Sequence, residues 1–484
     1  MITRILSTLE NTLMWAVDML YSWVLLFLLI GVGLALTAYL KGVQFRHFKD
    51  MVRSLANSRT ASRNGISSFQ AFAVGIGTRI GIGNIGGVAL ALIMGGPGAI
   101  FWMWIVAAVG MASSFVESVL AQLFKVRHAD GTFRGGPAYY LRQGLNCKPA
   151  AVVFAAITVL ACGFAVPMVQ VNTVAATFAA NHGVPTYSTM LFFLLLLAPV
   201  ILGGIRSVAR ASEYLAPIMA GAYVVITLVV LVLHPGQALA ALTSIFTAAF
   251  GPTQVAGGVT GGLFVALVNG ARRGLFSNEA GLGTTPNAAG AAAVDHPVQQ
   301  GFLQAFGVFV DTIVVCTATA LLILVSGVYT PGMDPAAAGS LTAQAVTSSL
   351  GSWMALPMSL IIFIFGYTSA YGAYSYGQVA LDSLTSNRAA SWGFRVLAVA
   401  VAGLGAVVKL PVVWALSDFL LGLGGIINLV AIVVLVRWVR VALEDWEKQT
   451  QLGTRPVFNA GKYPRLRPIL ENRVWSEGSD RKVQ

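Results

Sequence analysis

Eleven apolar runs follow one another along the chain, at about 16–40, 66–94, 99–124, 150–180, 187–203, 213–234, 259–293, 300–327, 353–380, 391–408 and 411–437. A helix that crosses a bilayer needs about 20 such residues. A membrane β-barrel would instead alternate apolar and polar positions in segments of about ten. The pattern predicts an all-α integral membrane protein of eleven transmembrane helices.

Two of the runs contain residues that a continuous helix does not favour. The run 66–94 holds Gly75-Ile-Gly-Thr-Arg-Ile-Gly-Ile-Gly-Asn-Ile-Gly-Gly87, in which seven of thirteen residues are glycine or asparagine. Glycine costs about 1 kcal/mol per residue in a helix interior, so a break is expected here, at mid-membrane depth. The run 259–293 is interrupted in the same way, across Asn269-Gly-Ala-Arg-Arg-Gly-Leu-Phe-Ser-Asn-Glu-Ala-Gly-Leu-Gly-Thr-Thr-Pro-Asn287. Unwound backbone is tolerated at that depth only where it is buried in protein or lines a cavity. Its free N–H and C=O groups can hold an anion and a cation side by side. Interrupted segments at corresponding positions of two halves mark the binding site of many secondary transporters. Here each break opens a set of five runs, and the two sets enter the membrane from opposite sides. The expected organisation is an N-terminal helix and cytoplasmic loop (1–65), a first five-helix repeat (66–234), an external connection (235–258), a second repeat (259–438) and a basic cytoplasmic tail (439–484).

Composition agrees with this reading. Of 484 residues 57% are hydrophobic and 10% charged, where soluble domains carry about 25% charged residues; mean hydropathy is +0.77. The net charge of +12 does not call for nucleic acid. Lys41, Arg46, Lys49, Arg53, Arg59 and Arg63 follow the first run, and Lys125, Arg127, Arg134, Arg142 and Lys148 follow the third. Basic loops mark the cytoplasmic side, which places the N-terminus outside and the C-terminus inside. The first run lacks a small-residue cleavage site and reads as a retained helix, not a signal peptide. Cys147, Cys162 and Cys316 have no paired spacing and read as small apolar fillers. The five histidines fall in or near loops, so no convergent catalytic constellation appears and an enzyme is not expected. Gly81-Ile-Gly-Asn-Ile-Gly86 matches a dinucleotide-binding pattern, but that pattern needs a preceding strand, and here a membrane helix precedes it.

Four motifs carry a family resemblance: Gly81-Ile-Gly-Asn-Ile-Gly86, Gly95-Gly-Pro-Gly-Ala-Ile-Phe-Trp-Met-Trp104, Gly135-Gly-Pro-Ala-Tyr-Tyr140 and Arg273-Gly-Leu-Phe-Ser-Asn-Glu-Ala-Gly281. Over about residues 10–440 the chain resembles the alanine or glycine:cation symporter family. The resemblance implies a LeuT-like 5+5 inverted repeat preceded by one extra helix, in a bacterial or archaeal plasma membrane. It also implies sodium-coupled uptake of a small neutral amino acid, with Na+ as coupling ion, no cofactor and no obligate protein partner.

The candidate substrate residues are Thr78, Arg79, Gly81, Gly83, Asn84, Gln170, Asn278 and Ala373. Amides from Gly81 to Asn84 suit the substrate carboxylate; the plainer alternative is close helix packing, since Gly83 and Gly87 form a small-xxx-small pair. The candidate sodium ligands are the Gly77 and Ile80 carbonyls with the hydroxyls of Thr368 and Ser369, a pair that resembles the second sodium site of LeuT-like symporters. These hydroxyls can equally bond back to their own helix. Gln170 and Asn172 are amides that either contact the substrate's amino group or bond a neighbouring helix. Glu279, Asp311 and Glu117 are ionisable groups at membrane depth, with coupling or gating as one role and internal pairing as the other. Arg272 and Arg273 are placed nearer an interface, where they can snorkel. Two positions depart from the family pattern. Arg79 replaces a small or hydroxyl residue, and its charge repels a nearby sodium ion unless paired, for example with Glu279 or Asp311. Ala373 stands where many members carry a bulky aromatic, which leaves room for glutamine as well as alanine.

Overall fold

The computed structural model describes residues 2–59, 65–250, 261–464, 466 and 474–475. Arg63, residues 251–258 of the expected connection, the first two positions of the seventh apolar run and most of the tail beyond 466 lie outside them.

A helix or a helix pair occupies each of the eleven apolar intervals. The first half comprises α1 (Glu10–Tyr39), a short α2 (Phe48–Ala56), α3 (Ser68–Arg79), α4 (Gly83–Gly95), α5 (Gly98–Leu123), a short α6 (Pro137–Gln143), α7 (Lys148–His182), α8 (Thr186–Leu202) and α9 (Gly204–Leu233). Next come α10 (Pro235–Phe250), α11 (Gly261–Asn278), α12 (Pro286–Ala291), α13 (Pro297–Val325), α14 (Ala338–Leu350), α15 (Ala355–Leu384), α16 (Arg388–Leu404) and α17 (Leu410–Gln451). Among the described residues, seven helices are long and apolar enough to cross a membrane, and the bent pair α3 and α4, at 46°, makes an eighth if counted as one span. α8 is apolar but shorter. Three differences from expectation stand out. Residues 235–250 of the external connection form α10, an alanine-rich segment without a charge. α14 is a further helix, which packs on α4 with Thr342 Oγ1 donating to the Ile85 carbonyl (3.3 Å). α17 continues to Gln451, well beyond the expected end of its run at 437.

The two interrupted helices run in opposite directions. Ile66, just before α3, pairs with Ala292, just after α12, and Ala293 N–H donates to the Ile66 carbonyl (3.0 Å). At the other end, a Cβ on Gly95 would stand 3.2 Å from Asn269 Cβ and 3.3 Å from Ala266 Cα of α11. The start of each interrupted helix thus meets the end of the other, as an inverted repeat requires.

The Ile66–Ala292 junction is covered by basic and aromatic side chains. Lys125, buried at the end of α5, donates to the Ala292 carbonyl (3.1 Å). Its ammonium lies 4.3 Å from the ring centre of Phe133 and 4.5 Å from that of Trp475. Phe133 belongs to a hairpin of β1 (Val126–Arg127) and β2 (Phe133–Arg134). Arg134 of β2 bonds Asp382 of α15 (2.6 Å). Gln122 also reaches the Ala292 carbonyl (3.1 Å), and Trp475 Nε1 donates to the Gln122 carbonyl (3.0 Å). A segment of the expected basic tail is therefore packed against the helix ends. Trp475→Ala removes a buried ring, a hydrogen bond and one face of the Lys125 sandwich. A loss of about 3 kcal/mol follows, read as a lower melting temperature of the purified protein; unchanged melting would mean that the tail contributes nothing to the fold.

Candidate functional site

α3 begins with a capping box, in which Ser67 accepts from the Gln70 N–H and the Gln70 side chain accepts from the Ser67 N–H. Gln70 Nε2 also reaches Glu213 on α9 (2.8 Å). The helix ends where Ile80 leaves helical geometry (ψ 87°). The chain then advances through Gly81 and Ile82 into α4, whose first turn, Gly83–Gly87, is π-helical. The break approaches α15 very closely. A Cβ on Gly81 would lie 2.1 Å from Ser369 Oγ, and a Cβ on Gly372 would lie 2.1 Å from Thr78 Oγ1. Only glycine fits at either position.

This contact brings four of the expected residues together. Ser369 Oγ donates to the carbonyls of Gly77 (3.1 Å) and Thr78 (2.9 Å). Thr368 stands beside Gly77, and its hydroxyl donates to its own helix at Phe365 (3.1 Å). One hydroxyl of the pair thus crosses to the break and the other bonds back. Gln170, buried on α7, carries an amide oxygen without a hydrogen-bond partner, 3.6 Å from where a Gly81 Cβ would be. Ala373, also buried, follows Gly372 at the same level. Thr78 Oγ1 is spent on the Val74 carbonyl (2.8 Å). Asn172 donates to the Gly405 and Val408 carbonyls (2.6 and 2.7 Å), the neighbouring-helix alternative.

Asn84 has a different surrounding from the one expected. Its Oδ1 accepts from Gly81 N–H (2.9 Å), and its own N–H donates to the Gly81 carbonyl (3.1 Å). The amides of a helix's first turn have no partner within it, and Asn84 supplies one. Of the amides expected to meet an anion, Gly81 to Asn84, the first and last are thus already bonded. Asn84 Nδ2 donates to Asp311 Oδ1 on α13 (2.7 Å). The same carboxylate accepts from Ser277 Oγ at the end of α11 (2.8 Å) and from Thr312 Oγ1 (2.8 Å). Thr312 in turn accepts from Asn278 Nδ2 (3.1 Å), while Asn278 Oδ1 takes the Ala280 N–H (3.0 Å). Asp311 thus joins the two breaks, and Asn278 braces the second one. Cys316, read as a filler, sits inside this knot, 3.3 Å from both Asn84 Nδ2 and Ser277 Oγ.

The second break, between α11 and α12, is held by carboxylates. Glu279 has a left-handed backbone (φ 56°) and accepts from Thr284 and Thr285 (2.9 and 2.7 Å). Glu117 accepts from the Gly281 and Gly283 N–H groups (3.3 and 3.2 Å) and from Asn428 Nδ2 (2.8 Å). Asn428 also donates to the Gly281 carbonyl (2.9 Å) and accepts from the Tyr140 hydroxyl.

Three charged residues differ from expectation. Arg79 is buried, but its guanidinium bonds neither Glu279 nor Asp311: it reaches the Gln304 carbonyl (3.0 Å), the Gln304 side chain (3.2 Å) and Ser114 Oγ (3.1 Å). Two positions along a helix is about 200° around it, so Arg79 leaves α3 on the side away from Gly77. Arg273 does not snorkel. It is buried, 3.2 Å from Asp418 of α17, and Arg272 bonds Asp418 (3.2 Å) and Asp18 (2.8 Å). A guanidinium at this depth is stabilised by a carboxylate partner, and α17 supplies one. Ser277, Thr312, Asp418, Asn428 and Tyr140 were not among the expected site residues. Signals existed for all but Thr312: Ser277 and Tyr140 lie in quoted motifs, and Asp418 and Asn428 are polar interruptions of an apolar run.

Antiparallel broken helices with oxygen-rich breaks define a secondary transporter of the LeuT-like class. The fold likeness extends to solved structures: MhsT in complex with L-phenylalanine (TM-score 0.54, 13% identity, 76% of this chain and 89% of that one). A manganese transporter of Eremococcus coleocola gives a TM-score of 0.51 at 15% identity over 84% of each chain. The chain belongs to the sodium:alanine symporter family, whose pattern matches residues 6–460. Its relatives include the probable sodium/glutamine symporter GlnT of Bacillus subtilis (41% identical, 93% of each chain). The sodium/alanine symporter AgcS of Methanococcus maripaludis is 37% identical over 88% of this chain and 93% of its own.

Glu117→Ala leaves two buried amide N–H groups and the Asn428 amide without their acceptor. Each unsatisfied group costs about 1–3 kcal/mol, so the variant is expected to be strongly destabilised in a thermal melt, with Glu117→Gln intermediate. A variant that melts like the parent would show that the second break does not depend on this carboxylate.

Proposed function

We propose that the protein is a sodium-coupled symporter that imports a small neutral amino acid across a bacterial or archaeal plasma membrane by alternating access. The N-terminus is outside and the basic tail cytoplasmic. The observation that carries the reading is the seat of Ser369 on the Gly77 and Thr78 carbonyls, with Thr368 beside Gly77. Uncharged carbonyl and hydroxyl oxygens are hard ligands suited to a hard cation. The Gly77 and Ile80 carbonyls with the Thr368 and Ser369 hydroxyls form the sodium site in this reading. The amino-acid carboxylate lies against the amides of Ile82 and Gly83 at the start of α4, where the helix dipole favours negative charge. The unpartnered Gln170 oxygen accepts from the substrate's ammonium group. Ala373 sets the space left for the side chain. That space supports alanine and glycine and also admits glutamine, the substrate in the name of the Bacillus subtilis relative.

Two experiments test this. Labelled amino acids are offered to proteoliposomes under sodium and proton gradients imposed separately. Uphill uptake should follow the sodium gradient, and Thr368→Ala with Ser369→Ala should raise the half-saturating sodium concentration by about tenfold or more. Uptake driven by protons alone would overturn sodium coupling and point to Glu279 and Asp311 as proton carriers. Flux that no gradient can drive uphill would make the protein a passive facilitator. In the same assay Ala373→Trp should exclude glutamine while retaining alanine or glycine. Continued entry of large substrates would remove Ala373 from the pocket wall.

A further inference from the structure

The candidate cation site is built from α3 and α15, but a third helix closes it. On α9, Ser212, Ala216 and Met219 stand at i, i+4 and i+7, one face of a helix, and all three are buried. A Cβ on Gly77 would lie 3.5 Å from Thr368 Cβ, 3.6 Å from Ala216 Cβ and 3.9 Å from Ser212 Oγ. Thr368 Oγ1 is 3.3 Å from Met219 Sδ. This face of α9 therefore touches both Gly77 and Thr368.

Ala216 and Met219 are ordinary packing, but Ser212 is not. Hydroxyls in membrane helices commonly bond back to a carbonyl of the preceding turn, as Thr227 of α9 does to Tyr223 (3.0 Å). Ser212 is fully buried and makes no such bond to its own helix. Its hydroxyl interacts with that of Tyr371 on α15, which is also buried, and neither has a partner besides the other. A pair of hydroxyls leaves one O–H without an acceptor, which is costly in a buried site and calls for an explanation. A ligand that the hydroxyl faces is one such explanation, and here the neighbours are the hydroxyls and carbonyl already assigned to a cation.

We infer that Ser212 is a further ligand of the coupling cation, an oxygen contributed by α9 to the site at Gly77, Ile80, Thr368 and Ser369. The inference rests on the proposed cation site and extends it to a helix that neither break nor the Thr368–Ser369 pair includes. Ser212 is placed for the cation and not for the amino acid. It lies beside Gly77, whereas the unpartnered Gln170 oxygen lies beside Gly81, four residues further along. With Ser212 as a ligand, a bound cation pulls α9 against α3 and α15.

The test is equilibrium binding of radioactive sodium to the purified full-length protein in the absence of amino acid. Parent, Ser212→Ala, Ser212→Thr and the Thr368→Ala/Ser369→Ala double variant are compared, with melting temperature as the folding control. Ser212→Ala should bind sodium about tenfold more weakly, and Ser212→Thr, which keeps a hydroxyl, should bind close to the parent. Amino-acid affinity measured at saturating sodium should be the same in all Ser212 variants. Parent-like sodium binding by Ser212→Ala, with binding lost in the double variant, would overturn the role of Ser212 and leave the site standing. Parent-like binding by the double variant would overturn the site itself, and this inference with it. Should Ser212→Ala fail to fold, Ser212→Cys decides. Its thiol has the same shape but is a soft, poor sodium ligand, so parent-like sodium binding there also overturns the proposal.

Discussion

A peptide group in the hydrocarbon of a bilayer has no water to bond, and each one left unpaired costs several kcal/mol. Breaking a helix at that depth creates such groups on purpose, and this chain does so twice. Much of the polar chemistry in its core answers that cost. At the first break Asn84 takes the Gly81 N–H and Ser369 caps the Gly77 and Thr78 carbonyls. At the second, Glu117 takes the Gly281 and Gly283 amides, and Asn428 takes the Gly281 carbonyl. The two solutions differ in kind. A carboxylate with two amides and an asparagine is a fixed brace. A serine hydroxyl on two carbonyls is a weaker, reversible cap, and a cation can replace its proton as the partner of those same oxygens.

The antiparallel arrangement turns two local solutions into one mechanism. Each break belongs to a different half of the chain, yet Asp311 bonds Asn84 from one and Ser277 from the other. A ligand that changes the geometry around Gly81 acts on Asn84, and through Asp311 on the end of α11. At the far ends, the Ile66–Ala292 pairing ties the start of one interrupted helix to the end of the other. The halves are therefore joined at the level of the breaks and again where Lys125 and Trp475 gather. Packed cores and bonded networks of this kind switch between discrete arrangements instead of deforming smoothly. Alternating access, in the proposed function, is accordingly a change in how these joints are made.

What was legible in the sequence was whatever depends on one segment at a time. Apolar run length located the helices, and glycine density placed the first break between Gly75 and Gly87, where the chain leaves helical geometry at Ile80. The helix at 235–250 was missed because it is short for a span and lacks the flanking charges that mark one. Partnerships were harder. Glu117 was legible as an acid at membrane depth, but its role needs Gly281 and Gly283, more than 160 residues away in the chain. Arg273 looked free to snorkel because its partner, Asp418, lies in another apolar run. Such pairings are properties of the packed bundle, and no local pattern encodes them.

Arg79 makes the electrostatic consequence concrete. A fixed cation beside a sodium site opposes binding, and sequence alone sets Arg79 in competition with the ion. In the fold its guanidinium is turned to Gln304 and Ser114, on the side of α3 away from Gly77. Glu117, Glu279 and Asp311 all lie within reach of its field. Coulombic interactions are poorly screened in an interior of low dielectric. Arg79, held by neutral acceptors instead of by one carboxylate, offsets part of the negative charge without neutralising any single site. The proposed cation site and the buried charged groups are thus built from different residues.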